Sequence, residues 1–198
     1  MKKIILASGS PRRRELMVLA GLDFEVITSN CDEHTAALSP EETAASLSAM
    51  KCRSVAEGIL GGKIHPSVES AEGYIVIGAD TIVVLDGVIL GKPADEEDAF
   101  RMLSMLSGNV HTVLTGVTVY DTASGEFFTF TEHTDVEMYD LDAREIRDYV
   151  NTGEPMDKAG AYGIQGRGGM LVKSVNGDYY NVVGLPIARL IREIKRFL

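Results

Sequence analysis

Apolar runs of strand length alternate with helix-period segments from the first residues onward. Ile4–Ala7 reads as a buried strand. After Ser8-Gly9-Ser10-Pro11, the spacing of Leu16, Leu19 and Ala20 predicts a helix with Ser10 as N-cap, Pro11 at its first position and Gly21 closing it. Phe24–Ile27 is a second strand. Ser39-Pro40-Glu41-Glu42 has the form of a capping box, so a helix is expected from there through Lys51 to about Glu57, ended by Gly58. Gly61–Gly73 reads as a loop. Tyr74–Leu85 is the strongest strand signal, turned by Asp86-Gly87 into Val88–Leu90. Asp95 caps a further helix ending near Gly108, His111–Tyr120 and Glu126–Met138 pair around Asp121–Gly125, and Asp142-x-x-Glu145 starts a short helix reaching Val150. Met170–Ser174 is a strand and Pro186–Leu198 an amphipathic helix with Leu190, Ile191 and Ile194 inward. The alternation predicts an α/β or α+β domain built around one mixed sheet. With no internal repeat and no shift of composition, residues 1–198 are expected to form one domain.

Composition narrows the partners. The 198 residues carry 19 Lys and Arg against 29 Asp and Glu, a net charge of −10, and 45% are hydrophobic. This is the balance of a globular protein with a true core; disorder and fibrous folds are excluded. The acidic surface argues against nucleic acid and anionic membranes, so an anion is expected to bind only where the minority of cations is gathered. Cys31 and Cys52 are expected as reduced thiols, since they suggest neither a disulfide framework nor a zinc ribbon. The basic start Met1-Lys2-Lys3 is followed by an apolar run that breaks at Ser8, too short for a signal peptide. A soluble cytoplasmic protein is expected.

Three segments carry candidate chemistry. Ser8-Gly9-Ser10-Pro11-Arg12-Arg13-Arg14 joins a buried strand to a helix N-terminus, where free N–H groups and added guanidinium groups suit a phosphate or carboxylate. The alternative is a capped helix with solvated arginines. Asp80 lies in an otherwise apolar strand and needs a metal, a cation or a polar cavity to offset its desolvation; Gly78 and Ala79 leave room beside it for something to approach. The alternative is a turn at Asp80 between two strands. Thr152–Gly169 holds six glycines in 18 residues, together with Lys158 and Arg167 for phosphate, Gln165 for a base edge and Tyr162 for an aromatic ring. The alternative is a flexible surface loop. His34, His65, His111 and His133 show no zinc-binding spacing. Cations in separate loops with carboxylates at Glu33 and Asp80 are the parts of an Mg²⁺-assisted phosphoryl reaction, with water as nucleophile.

Taken in chain order, several blocks resemble the Maf family, the septum formation inhibitor-like nucleotide pyrophosphatases. They are Leu6-Ala7-Ser8-Gly9-Ser10-Pro11-Arg12-Arg13-Arg14-Glu15-Leu16, Gly78-Ala79-Asp80-Thr81, Gly91-Lys92-Pro93, Leu106-Ser107-Gly108, Glu154 through Gly166, and Val183-Gly184-Leu185-Pro186. The resemblance implies an α/β fold with an elongated mixed sheet flanked by helices and a central cleft between two lobes, similar to inosine triphosphate pyrophosphatase. It also implies hydrolysis of a nucleoside triphosphate to monophosphate and pyrophosphate with Mg²⁺ or Mn²⁺. By motif, Asp80 matches the family's proton acceptor, while Ser8, Arg13, Glu33, Lys51 and Lys92 match its phosphate- and metal-side residues, Asp80 also being a candidate metal ligand. Arg12, Thr81 and Gln165 match positions that separate substrate classes. The branch acting on 7-methyl-GTP has Trp, Gln and Glu there, so this chain resembles the dTTP/UTP branch. Asp32 is an alternative to Glu33, a homodimer is left open, and the stretch Gly58–Gly73 is longer than in relatives, which would alter substrate range if it folded over the cleft. A nucleotide-sensing binding protein and an ordinary phosphatase are the competing functions.

Overall fold

The computed structural model describes residues 2–29, 31 and 39–197. Glu33 and its alternative Asp32 lie outside the described residues. The expected mixed α/β architecture is present: an open seven-stranded sheet flanked by helices, in the order β2-β1-β3-β5-β6-β7 with β4 on β3. In chain order the elements begin with β1 (Lys3–Leu6), α1 (Pro11–Leu19), β2 (Phe24–Val26) and α2 (Pro40–Leu60). They continue with β3 (Tyr74–Leu85), β4 (Val88–Leu90), α3 (Glu96–Leu106), β5 (Val110–Asp121), β6 (Phe127–Met138) and α4 (Ala143–Val150). Three short 3-10 turns follow at Glu154–Asp157, Ala159–Ala161 and Gly166–Leu171, then β7 (Val172–Gly177), α5 (Tyr179–Val183) and α6 (Ile187–Ile194). No helix among the described residues is long and apolar enough to cross a membrane.

The helix starts follow the sequence signals. Ser10 and Ser39 are N-caps with Pro next to them, and Ser39 and Glu42 form the reciprocal capping box. Gly58 does not end α2: it keeps a helical conformation, the helix continues to Leu60, and the missing Cβ instead gives room to Ile64, which it would meet at 2.5 Å. The strand expected at Met170 begins instead at Val172; Met170 belongs to the preceding turn and is exposed. The helix α5 was not foreseen, being only five residues long and started by Asp178.

Two features of β3 place the site. It is paired along its length with β5, from Ile75↔Asp121 to Val84↔Thr112. On its other edge it pairs with β1 up to Leu6↔Ile77 and with β4 only from Val83↔Leu90, so residues 78–82 have no strand partner there. Side chains alternate across the sheet. Ile75, Ile77 and Ala79 join one hydrophobic cluster with α1 and α6, and Val83 and Leu85 join a second with α3 and α4; Thr81 stands between them. On the opposite face Val76 packs against Cys52, Val55 and Ala56 of α2.

Candidate active site

The gap beside residues 78–82 opens into a cleft of about 810 Å³. Its lining includes Ser8, Arg12, Arg13, Lys51, Asp80, Thr81, Lys92 and Gln165, drawn from separate parts of the chain. Asp80 is not a turn residue; β3 runs through it without interruption. Its carboxylate faces α2, where Lys51 Nζ donates to Asp80 Oδ1 in a largely buried ion pair. The room beside Gly78 is filled by α2 itself: a Cβ on Gly78 would lie 2.4 Å from Ser48 O, and one on Gly116, directly opposite Asp80, 2.1 Å from Ala44 O. Two glycines on neighbouring strands therefore let a helix backbone rest on the sheet, and that close approach brings Lys51 within reach of Asp80.

Thr81 turns to the other face and meets Arg13. The guanidinium of Arg13, itself buried, donates from Nε to Gly184 O (2.8 Å), from Nη1 to Ser8 Oγ (3.1 Å) and from Nη2 to Thr81 Oγ1 (3.1 Å). It ties the end of β1, the middle of β3 and the bend between α5 and α6 into one floor. Thr115, across the sheet, adds a hydroxyl contact to Thr81 at 2.9 Å. Sequence reading gave Arg13 to phosphate and passed over Thr115 and the Gly184 carbonyl, whose roles arise only from long-range pairing.

The opposite wall is the glycine-rich segment. Arg12 Nη1 reaches Asp157 Oδ2 at 3.2 Å, and Lys158 Nζ donates to Asp157 Oδ1 at 2.7 Å. Burial pushes the Asp157 carboxyl up, but the Lys158 ammonium and the Arg12 guanidinium more than reverse this and hold it below the usual range. Lys92 is exposed at the rim, with no ion pair among the described residues. Two expectations for this wall need correction. Arg167 is exposed and does not line the cleft, since its segment is drawn down by its own backbone N–H. Tyr162 lines the cleft but is buried, its hydroxyl 2.7 Å from His111 Nε2, so its ring is committed to the core. The stretch 58–73 does not fold over the cleft: none of it lines the cavity, and Ser67 N is bound to the Glu25 carboxylate beside β2.

Asp80 Oδ2 accepts no hydrogen bond among the described residues, and no three His, Cys, Asp or Glu side chains are grouped there to hold a metal. This donor set fits a hard cation that takes one or two protein carboxylates and completes its shell with water and phosphate oxygens.

A family model described as Maf-like protein matches residues 3–197. A dTTP/UTP pyrophosphatase of Bacillus thuringiensis subsp. konkukian is 49% identical to the chain, over 100% of it and 96% of the relative. Proteins of the same name from two Bacillus cereus strains are 48% identical over the whole chain, with 96% and 91% of each relative covered. With residues 3–197 matched by the family model and Ser8, Arg12, Arg13, Lys51, Asp80, Thr81, Lys92 and Gln165 gathered around one cleft, the chain belongs to the Maf family.

Proposed function

We propose that the protein hydrolyses dTTP and UTP to the nucleoside monophosphate and pyrophosphate by attack of water at the α-phosphorus. The observation that carries this reading is the Lys51–Asp80 pair on the stretch of β3 that has β5 on one edge and no strand on the other, below a rim that bears Arg12, Lys92 and Lys158. The names of relatives nearly half identical over the whole chain support the substrate class. Residues 1–198 are taken as one nucleotide-binding unit with the cleft between its two hydrophobic clusters.

The triphosphate lies across the cleft, its charge met by Arg12, Lys51 and Lys92 and by the N–H groups at the start of α1 behind Ser8. Arg13 holds the floor and adds fixed positive charge beneath the phosphates. Asp80 orients a water and accepts its proton as the oxygen attacks in line with the departing pyrophosphate. Lys51 fixes the Asp80 carboxylate against rotation. Asp80 and Glu33 would hold Mg²⁺ or Mn²⁺, which when bound would supply charge neutralisation for the phosphates and the leaving group. On the other wall Gln165 meets the base edge, with Arg12 and Thr81 completing the selection of the pyrimidine.

The test is a panel of nucleoside triphosphates incubated with Mg²⁺ and analysed for products. Monophosphate and pyrophosphate from dTTP and UTP are expected. Orthophosphate as the product overturns the site of attack, faster turnover of purines overturns the base assignment, and binding without turnover replaces the enzyme by a nucleotide sensor.

A further inference from the structure

Glu154 does not line the cleft, yet it is the most heavily engaged carboxylate near it. Its Oε1 accepts from Tyr149 Oη (3.0 Å) and Gly168 N (3.0 Å), and its Oε2 from Arg167 N (3.1 Å). Tyr149 Oη in turn accepts from Gly163 N at 3.3 Å. The two ends of the segment 163–168 thus converge on one pair of side chains. They touch there: a Cβ on Gly168 would lie 2.4 Å from Gly163 O and 2.6 Å from Tyr149 Oη. Gly166, at φ +73°, brings the turn over the carboxylate, where a Cβ would sit 3.1 Å from Glu154 Oε2. Burial pushes the Glu154 carboxyl up, but the two backbone N–H groups, the Tyr149 hydroxyl and Lys158 outweigh it and keep it ionised below the usual range. Tyr149 is buried in the α3–α4 cluster, so this anchor is fixed to the core.

The segment so held presents Ile164 and Gln165 to the cleft. We propose that Glu154, fixed by Tyr149, is a positioning residue that sets the height of Gln165 above the cleft floor and thereby excludes purines in favour of pyrimidines. The inference rests on the reading of the cleft as a nucleotide site. Residues 163–165 join two 3-10 turns, and the 163–168 segment is held by these four hydrogen bonds together with the packing of Ile164 against the core; an amide at position 154 would put an N–H₂ group where an acceptor is required. A loosened turn widens the base pocket, and a shift of an ångström is enough to change selection.

The experiment compares wild type, Glu154→Gln and Tyr149→Phe with UTP, dTTP, ATP and GTP, together with amide hydrogen exchange at Arg167 and Gly168. In Glu154→Gln the kcat/KM for UTP is expected to fall on the order of tenfold, chiefly through KM, while the UTP-to-GTP ratio narrows by a similar factor. Exchange at both amides should quicken without a matching loss of global stability, and a variant carrying both Glu154→Gln and Tyr149→Phe should be little worse than Glu154→Gln alone. A ratio unchanged from wild type, or kcat falling in parallel for all substrates at constant KM, overturns the proposal. Wild type inert toward every nucleotide overturns the pyrophosphatase reading instead. If Glu154→Gln does not fold, Tyr149→Phe carries the same readouts, and unchanged exchange at Gly168 in that variant also overturns the proposal.

Discussion

On one side of the cleft Asp80, Thr81, Lys51 and Arg13 stand on β3, α2 and α1, whose backbones are fixed by ladder pairing and by a helix resting on two glycines. On the other side Ile164 and Gln165 stand on a turn with no regular element, fixed by side chains that reach its backbone from below. The first wall holds the groups assigned to bond breaking, which need near-fixed geometry. The second holds Gln165, assigned to the base edge, where a small change in height alters the choice of substrate, while Thr81 and Arg12 complete the selection from β3 and α1. Placing the chemistry on a strand and the base-edge contact of Gln165 on a turn lets that part of the selection vary without disturbing the chemistry.

The largest test of that division is Asp80→Asn, expected to lower kcat by roughly 10²- to 10⁴-fold with nucleotide binding retained. Single-turnover assays and equilibrium binding would show it, and near-normal turnover would end the assignment. Next is Gly116→Ala. Its Cβ would lie 2.1 Å from a helix carbonyl oxygen that has no freedom to rotate away, so about 3 kcal/mol should be lost, read from urea unfolding. The displaced α2 carries Lys51, so kcat should fall with stability.

A pH experiment probes the link between the walls. Burial depresses the His111 pKa to about 4, partly countered by the Asp135 charge. The unfolded histidine takes up its proton near pH 6.5, so the stability held by the neutral ring is complete above that pH. It is lost as pH falls toward about 4 and is level below it. Urea unfolding across this window should show wild type losing up to about 3 kcal/mol more than His111→Gln. Parallel slopes would mean that the Tyr162 contact does not depend on the neutral ring. The smallest effect is expected at Gly163→Ala. Its Cβ would be 2.6 Å from Lys158 Cε, a side-chain stem that can shift by a few tenths of an ångström while its ammonium keeps its ion pair with Asp157, so the cost should stay at about 1 kcal/mol. A cost as large as that of Gly116→Ala would show the glycine-rich wall to be as rigid as the strand wall.

The same division explains what the sequence revealed. The limits of β3 and its turn into β4 were legible because an apolar run bounded by Asp86-Gly87 has one good solution. Asp80 stood out in that run for the same reason. Gly78 was legible as a close approach, but the sequence does not say whether a ligand or a helix makes it; here the helix α2 does. Tyr149 and Glu154 gave no local signal of their partnership. A tyrosine on the inward face of α4 is an ordinary core residue, and a glutamate before Pro155 an ordinary turn residue, until the chain brings them under residues 166–168. Likewise, the three partners of Arg13 lie at positions 8, 81 and 184, and only the fold makes them neighbours.

The uninterrupted register of β3 against β5 also has a mechanical meaning. One strand passes beneath the whole cleft and belongs to both hydrophobic clusters, so the floor has no hinge. Widening the mouth by bending it would break ladder hydrogen bonds on both sides of Asp80 at once. Any widening of the mouth during admission or release therefore falls to the side walls, which ride over a stiff beam, and not to flexing of the floor.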